Sequence, residues 1–157
     1  IVLTGMPGSG KTTVGKLLAQ MLDRPYLDTD ACIQEKTGLT PGQIIESRGE
    51  AAFRDVETEV IRAVAERNGC VIATGGGAVL RRENVDLLRR NGKLFFLDRP
   101  VEQLIPTEDR PLSSTKEAIL KRYDERYETY VATADVVIPN GDTAEAAAQQ
   151  VKRSFFL

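Results

Sequence analysis

Residues 5–12, which read GMPGSGKT, constrain the fold of this chain more than any other segment. They match the pattern G-x-x-x-x-G-K-[ST] at every fixed position, directly after an apolar run at residues 1–4 and before an amphipathic stretch. Between a strand and a helix, the glycines let successive backbone N–H groups converge on phosphate oxygens, and the positive end of the helix dipole points to the same place. The segment therefore predicts a strand, a phosphate-binding loop and a helix that together bind a nucleoside triphosphate.

The loop also predicts the roles of individual side chains. Lys11 brings a positive charge to the β and γ phosphates, and the Thr12 hydroxyl is a Mg²⁺ ligand. Nucleotide contacts are predicted for six consecutive residues: Gly8, Ser9, Gly10, Lys11, Thr12 and Thr13. The motif alone is compatible with a switch GTPase, an ATPase motor or a small-molecule kinase. The chain has no N-K-x-D guanine-binding string and is short for a motor, so small kinases are favoured.

Composition excludes several other classes. The chain has 157 residues, enough for one domain, and 21 basic against 23 acidic residues, which gives no global basic field for nucleic acid or an anionic membrane. Histidine is absent, which excludes Ser–His–Asp and Cys–His catalysis and zinc sites with imidazole ligands. Cys32 and Cys70 are predicted to be reduced, half-buried thiols. We expect a cytoplasmic monomer; the start at Ile1, inside a strand and without Met, indicates a trimmed chain or part of a larger or fused one.

Short apolar runs alternate with amphipathic stretches along the whole chain. Strands are predicted at residues 1–4, 25–28, 71–74, 93–97 and 135–138. Helices are predicted at residues 11–22, after Asp30, and at 49–68 (the longest), 81–90, 116–132 and 143–153. Residues 99–114 contain three prolines and look irregular. Strands separated by helices form parallel units with helices on both faces of the sheet, so we expect one α/β domain over residues 1–157.

Asp28 and Asp30 end the second predicted strand, where ligands bind in parallel sheets. On an extended segment this spacing points both carboxylates to the same side. One carboxylate could hold Mg²⁺ through water, and the other could orient an acceptor hydroxyl and take its proton. The alternative, in which Asp30 caps a helix and Asp28 is merely solvated, stays open.

Three consecutive glycines, Gly75, Gly76 and Gly77, follow the third predicted strand at the same edge of the sheet. Such a triplet indicates that a group approaches the main chain closely, or that a positive φ is needed. It predicts a pocket wall that offers N–H donors to an anionic substrate. A permissive strand-to-helix turn is the alternative.

Charged residues on the later helices are harder to interpret. Glu57 lies within the apolar stripe of the helix at 49–68, with Arg54 three residues before it. A buried pair would hold the guanidinium rigidly to grip a carboxylate, whereas an exposed pair would contribute little, and both readings stay open. Arg110 lies in the proline-rich segment, a plausible mobile lid. Arg126 lies on a helix, where an arginine without further context is more often exposed.

Six segments resemble the shikimate kinase family, in that family's order and at similar spacing: GMPGSGKTT, LDTD, GEAAFRDVE, TGGGAV, DRPLS and ERYETY. The resemblance covers essentially the whole chain. It implies a three-layer P-loop kinase sandwich with a five-stranded parallel sheet in the order 2-3-1-4-5 and a short lid at about residues 99–114. The implied reaction is transfer of the γ-phosphoryl group of ATP, the co-substrate, to the 3-hydroxyl of shikimate in aromatic amino-acid biosynthesis, with Mg²⁺.

By this resemblance, Asp30 binds the acceptor hydroxyls and acts as the base, and Asp28 lies near the metal together with Thr12. Arg54 and Arg126 clamp the substrate carboxylate, and Glu57 braces the pocket. The remaining implied site residues are the substrate-lining glycines Gly75, Gly76 and Gly77, and the catalytic cations Lys11 and Arg110, of which Arg110 reaches the transferring phosphoryl group from the lid. Typical members carry a longer lid whose basic residue packs on adenine, so the adenine contacts are unassigned here, with the turn at residues 139–142 as a candidate.

Two rival hypotheses remain. The first is a kinase for another small hydroxylated acid, such as gluconate. The second is a non-catalytic nucleotide-binding module whose short lid no longer closes. Asp30 and Arg110, both retained, argue against the second.

Overall fold

A single parallel sheet organises the computed structural model, which describes residues 1–104 and 115–157. In this part of the chain the strands are β1 (Val2–Thr4), β2 (Tyr26–Asp28), β3 (Val71–Ala73), β4 (Leu94–Asp98) and β5 (Val136–Pro139). Their order is β2-β3-β1-β4-β5, and every pairing is parallel, as predicted. The loops that follow the strands therefore meet at one edge of the sheet.

Helices cover both faces of the sheet. They are α1 (Lys11–Leu22), α2 (Thr29–Thr37), α3 (Pro41–Arg48), α4 (Glu50–Ala65), α5 (Arg82–Arg89), α6 (Lys116–Thr133) and α7 (Ala144–Phe155). Short 3-10 turns span Ala78–Leu80 and Val101–Gln103. The predicted lid at residues 99–114 lies mostly outside the described ranges.

The two helical layers pack on alternate residues of the strands. In β4, Phe96 belongs to the core beneath α4 and α6, whereas Phe95 belongs to the core beneath α1 and α7. Both rings are fully buried because a parallel sheet with helices on each side has no solvent-facing surface at its centre. The predicted three-layer arrangement is confirmed.

Two helix predictions were wrong. The helix predicted at 49–68 ends at Ala65, because the chain must turn through Gly69, with φ 69°, to enter β3. The longest helix of the described residues is instead α6, with 18 residues. The helical stretch after Asp30 divides in two, because Gly38 adopts φ 74° and Thr40 starts α3 with a capping box.

The cysteines are free, as predicted, but differ in burial. Cys32 is half-buried, and burial raises the pKa of its thiol. Cys70 is fully buried rather than half-buried, because it directly precedes the central part of the sheet at β3. Within the described ranges, no helix is long and apolar enough to cross a membrane.

Candidate active site

The predicted phosphate-binding loop joins β1 to α1. Gly5 adopts φ 146°, and a Cβ atom there would lie only 2.8 Å from both the Leu97 carbonyl oxygen and Ser9 Oγ. Gly10 adopts φ 95° and is the N-cap of α1, whose first intrahelical bond runs from the Val14 N–H to the Gly10 carbonyl. The preceding amides of the first turn therefore have no helical acceptor and can bind an anion.

Lys11 is buried at the mouth of this loop. Its Nζ donates to the carbonyl oxygens of Gly5 (2.7 Å) and Met6 (2.8 Å). The lysine stem is folded back over the loop, and these bonds hold the ammonium group at the phosphate-binding amides. The contact of Lys11 with the β and γ phosphates stays a prediction.

Asn140, at the end of β5, holds the loop from the other side. Its Nδ2 donates to the Ser9 carbonyl (2.7 Å), and its backbone N–H donates to the Asp98 carbonyl (3.0 Å). A Cβ on Gly10 would lie 2.8 Å from Asn140 Nδ2, so the contact is tight. The sequence indicated the turn at 139–142 only as a candidate for adenine contacts. The support that Asn140 gives the loop has no local sequence signal, because the bond spans 131 positions of the chain.

A cavity of about 490 Å³ opens at the carboxyl edge of the sheet. Most predicted site residues line it, namely Gly8, Gly10, Lys11, Thr12, Thr13, Asp28, Asp30, Gly75 and Gly76. Ser9 is buried beneath the loop and packs against Gly5. The lining does not include Arg54, Glu57, Gly77 or Arg126, among the described residues. Arg110 lies outside the described residues.

The two aspartates lie at a strand end and in a helix, and not on one extended segment as expected. Asp28 ends β2 and is also the N-cap of α2, since its Oδ1 accepts from the backbone N–H groups of Asp30 (2.8 Å) and Ala31 (3.3 Å). The extended segment predicted for both residues was wrong, because the helix starts at Thr29. The alternative with Asp30 as the cap was also wrong. Both carboxylates nevertheless line the same cavity.

Tyr26 connects the two predicted metal ligands. Its hydroxyl donates to Asp28 Oδ2 (3.3 Å), and its ring packs where Gly15 leaves space on α1. Burial, followed by the charge of Asp28, raises the pKa of Tyr26 to about 12, while a hydrogen bond with Thr12 acts in the opposite direction. Thr12 and Asp28 therefore both act on the same phenol.

These two oxygen donors fit Mg²⁺. In the described part of the chain, no group of three or more His, Cys, Asp or Glu residues could hold a metal ion. Mg²⁺ commonly keeps several waters and takes one or two protein oxygens together with substrate phosphates, so a hydroxyl and a carboxylate beside a phosphate loop are a suitable donor set.

The glycine triplet accommodates two side chains at close approach. A Cβ on Gly76 would collide with the ring of Pro7, and one on Gly77 would overlap the guanidinium of Arg54. The predicted close approach is confirmed, whereas none of the three adopts a positive φ. The Gly75 N–H donates to Thr29 Oγ1 (3.0 Å), so this amide is used inside the protein rather than offered to a ligand.

Arg54 and Glu57 form a buried pair on α4. They are 6% and 0% exposed, and Arg54 Nη1 donates to Glu57 Oε1 at 2.9 Å. Arg54 Nη2 also reaches Glu50 at 3.4 Å, near the surface. The exposed salt bridge considered as an alternative is therefore wrong. Glu57 and the backbone around Gly77 hold the guanidinium in one orientation.

Arg126 is also buried, at 4% exposure, contrary to the expectation for a helical arginine. It precedes Tyr130 by four positions and so shares its face of α6. Tyr130 donates to the Gly76 carbonyl, which places this face beside the glycine triplet. No hydrogen bond or ion pair joins the Arg126 guanidinium to another residue within 1–104 or 115–157.

Arg99 is a lining residue that sequence reasoning missed. It follows β4 directly and lines the cavity, whereas the two aspartates follow β2, on the other side of β1 in the sheet. A basic residue immediately after a parallel strand was the available signal, because all such positions meet at the ligand-binding edge.

A parallel sheet in this order, with a phosphate loop after its central strand, is the P-loop kinase fold. The family model for shikimate kinase matches residues 7–155. The chain belongs to the shikimate kinase family. It is 40% identical to a shikimate kinase of Clostridium botulinum (strain Eklund 17B / Type B), over 98% of this chain and 94% of that protein. It is 43% identical to a shikimate kinase of Moorella thermoacetica, over 98% and 92%.

Solved structures agree with this assignment. The shikimate kinase from Acinetobacter baumannii, in complex with shikimate, superposes with a TM-score of 0.93 at 34% identity, covering 99% of this chain and 91% of that one. Sequence and fold comparisons therefore point to the same family over nearly the whole chain.

Proposed function

We propose that this chain transfers the γ-phosphoryl group of ATP to the 3-hydroxyl of shikimate, giving shikimate 3-phosphate and ADP. The observation that carries the proposal is the buried guanidinium of Arg126, which has no carboxylate partner among the described residues. Burying an unpaired charge is costly, so such a cation implies an anionic ligand from outside the chain.

The carboxylate of shikimate suits this requirement. Arg54 rests on Gly77, and Arg126 lies on the α6 face that reaches Gly76 through Tyr130. The Arg54 guanidinium therefore adjoins the glycine triplet, and Arg126 lies one helical turn from the tyrosine that contacts it. Their planar forks match a carboxylate in a bidentate way that an ammonium group cannot reproduce. We assign Glu57 to holding Arg54 and the triplet to lining the acceptor.

Asp30 lines the cavity and is assigned as the base. It accepts the proton of the 3-hydroxyl as that oxygen forms a bond to the γ-phosphorus. The bond from the γ-phosphorus to the β–γ bridging oxygen breaks, and ADP leaves. Lys11 and the first-turn amides of α1 stabilise the negative charge on the phosphate oxygens. Arg110 is proposed to reach the same group from the lid.

Thr12 and Asp28 are assigned to Mg²⁺, Asp28 through water. When bound, the ion offsets negative charge on the phosphate oxygens. We also propose that residues 1–157 form one kinase domain, alone or within a longer chain, which works as a cytoplasmic monomer without nucleic-acid or membrane partners. The net charge of −2 supports the exclusion of nucleic acid.

The test is ADP release with ATP and Mg²⁺, measured with shikimate, with gluconate and with no acceptor. We expect release that depends on shikimate alone. Equal release with gluconate would favour the broader acid kinase, and ATP binding without acceptor-dependent release would favour the non-catalytic module. The Asp30→Asn variant, prepared in the same way, checks that any activity belongs to this protein.

A further inference from the structure

Arg99 has no role in the function proposed above, although it lines the same cavity as Lys11 and Thr12. We propose that Arg99 binds the α and β phosphates of the nucleotide and so contributes to the affinity for both ATP and ADP. This inference rests on the proposed function, because it names a further residue of the same nucleotide site.

The sheet order determines which substrate Arg99 meets. β4 flanks β1 on one side, and β3 and β2 lie on the other. Asp30 and the glycine triplet, both assigned to the acceptor, follow β2 and β3. Arg126 follows β4 but lies on the α6 face that contacts the triplet through Tyr130, so the acceptor occupies the β3 side of the phosphate loop. Arg99 follows β4 and approaches the loop from the opposite side.

Its position is close to the start of α1. Arg99 Nη1 lies 3.8 Å from where a Cβ on Gly10 would be, and Gly10 is the N-cap of α1. In a phosphate-binding loop that opens such a helix, the backbone N–H groups hold the α and β phosphates and the lysine reaches the β and γ phosphates. The guanidinium is therefore beside the α and β phosphates, whereas Lys11 lies at the loop mouth.

The electrostatic setting of Arg99 favours an external anion. Its side chain is half-buried, and Nε is buried without a hydrogen-bond partner in the described structure. No ion pair links it to a carboxylate within residues 1–104 or 115–157. The adjacent Asp98 accepts instead from the Tyr123 hydroxyl (3.1 Å). A partly desolvated guanidinium with free donors matches phosphate oxygens in charge and in geometry.

The backbone around Arg99 is held in place on both sides. The Asp98 carbonyl accepts from the Asn140 N–H, and the Pro100 carbonyl accepts from the Gln103 N–H (2.9 Å). A cation anchored at the sheet edge needs no closure to reach its ligand. Arg99 would contact phosphates that are present in both ATP and ADP, so its removal should weaken the binding of both nucleotides. In kinetics, the KM for ATP should rise while kcat changes little.

The experiment measures ADP binding with Mg²⁺ by calorimetry for the wild type, Arg99→Met and Arg99→Lys. The control is Arg90→Met, which makes the same charge change at the exposed C-terminal end of α5, at the opposite edge of the sheet. We expect Arg99→Met to raise the Kd for ADP about tenfold or more, Arg99→Lys to have an intermediate effect, and the control to change it by less than about twofold.

Steady-state kinetics separate a nucleotide contact from a structural role. We expect Arg99→Met to raise the KM for ATP by a factor similar to that for ADP, with little change in the KM for shikimate. An unchanged Kd for ADP, or a parallel rise in the KM for shikimate, would overturn the proposal. Wild-type protein that binds ADP through Arg99 but shows no shikimate-dependent release would contradict the proposed function and leave the Arg99 contact standing.

Discussion

The guanidinium of Arg54 lies so close to the backbone of Gly77 that a single methyl group at residue 77 would overlap it. Glycine is therefore required here for space rather than for backbone conformation, since the φ of Gly77 is negative. The side chain assigned to the substrate carboxylate thus depends on the backbone of a strand-to-helix connection 23 positions further along the chain.

Gly77→Ala should displace Arg54 and raise the KM for shikimate about tenfold or more, because small errors in the position of a binding group are costly. The KM for ATP should change little. Gly38→Ala is the control, since Gly38 has open space and φ 74°, so alanine there costs about 1–2 kcal/mol of backbone strain without touching the site. Equal effects of the two variants on the KM for shikimate would refute the dependence of Arg54 on Gly77.

Glu57 and Glu50 offer a matched comparison, because both pair with Arg54 but differ in burial. Glu57→Gln removes the buried anionic partner of Arg54, leaves only the half-exposed Glu50, and should lower the free energy of unfolding by about 3 kcal/mol. The Glu50 side chain is 47% exposed, so Glu50→Gln should lower the free energy of unfolding by only about 0.5 kcal/mol. Denaturant unfolding of both variants provides the measurement. Similar losses would show that burial of the Arg54–Glu57 pair does not matter.

Asp30→Asn tests the assigned base. Without a proton acceptor, kcat should fall by about 10²–10⁴-fold, while the Kd for ADP should remain close to that of the wild type. Asp55→Asn, an exposed position on α4 that pairs with Arg81, is the matched control and should retain activity. A kcat for Asp30→Asn near that of the wild type would exclude Asp30 as the base.

Asn140→Ala removes the hydrogen bond from the Asn140 amide to the Ser9 carbonyl and should make the phosphate loop less rigid. A buried carbonyl left without its partner costs about 1–3 kcal/mol of stability, and the Kd for ADP should rise with it. Asn91→Ala removes comparable hydrogen bonds at the opposite edge of the sheet, to Arg67 and Asn68, and should change stability alone. If both variants bind ADP equally well, Asn140 does not position the loop.

The Tyr26 hydroxyl should lose its proton only at an unusually high pH. Its pKa of about 12 in the folded protein lies above the ordinary value of 10.0, so between these values the folded chain keeps a proton that the unfolded chain has lost. The stabilisation from this group is complete below pH 10 and declines as the pH rises towards 12. Ultraviolet titration of the wild type and Tyr26→Phe isolates this phenol. Ionisation of Tyr26 near pH 10 would show that Asp28 and burial do not act on it.

Local patterns predicted the parts of the site that lie within one connection of the chain. The phosphate loop was predictable because its glycines, Lys11 and Thr12 all lie within the eight consecutive residues 5–12, from the end of β1 to the first turn of α1. The burial of Glu57 was suggested by the apolar stripe of its own helix. The sheet order came from the family resemblance, since alternation of strands and helices does not determine how strands are arranged.

Features that depend on contacts between distant segments could not be predicted in this way. The exposure of Arg126 was misjudged because its burial follows from packing of α6 against the glycine triplet, about 50 positions earlier. Asn140 and Arg99 reach the loop only because β5, β4 and β1 are neighbours. The capping role of Asp28 was missed because it depends on the first residue of α2, which is Thr29 and not a residue after Asp30.

The most direct test of the account is phosphorus and proton NMR of the product formed by the wild type from ATP, Mg²⁺ and shikimate. We predict one new phosphomonoester, whose phosphorus couples to the proton on carbon 3 of the ring. Inorganic phosphate alone, or a phosphoryl group on another hydroxyl, would contradict the assignment of Asp30, Arg54 and Arg126 to this acceptor.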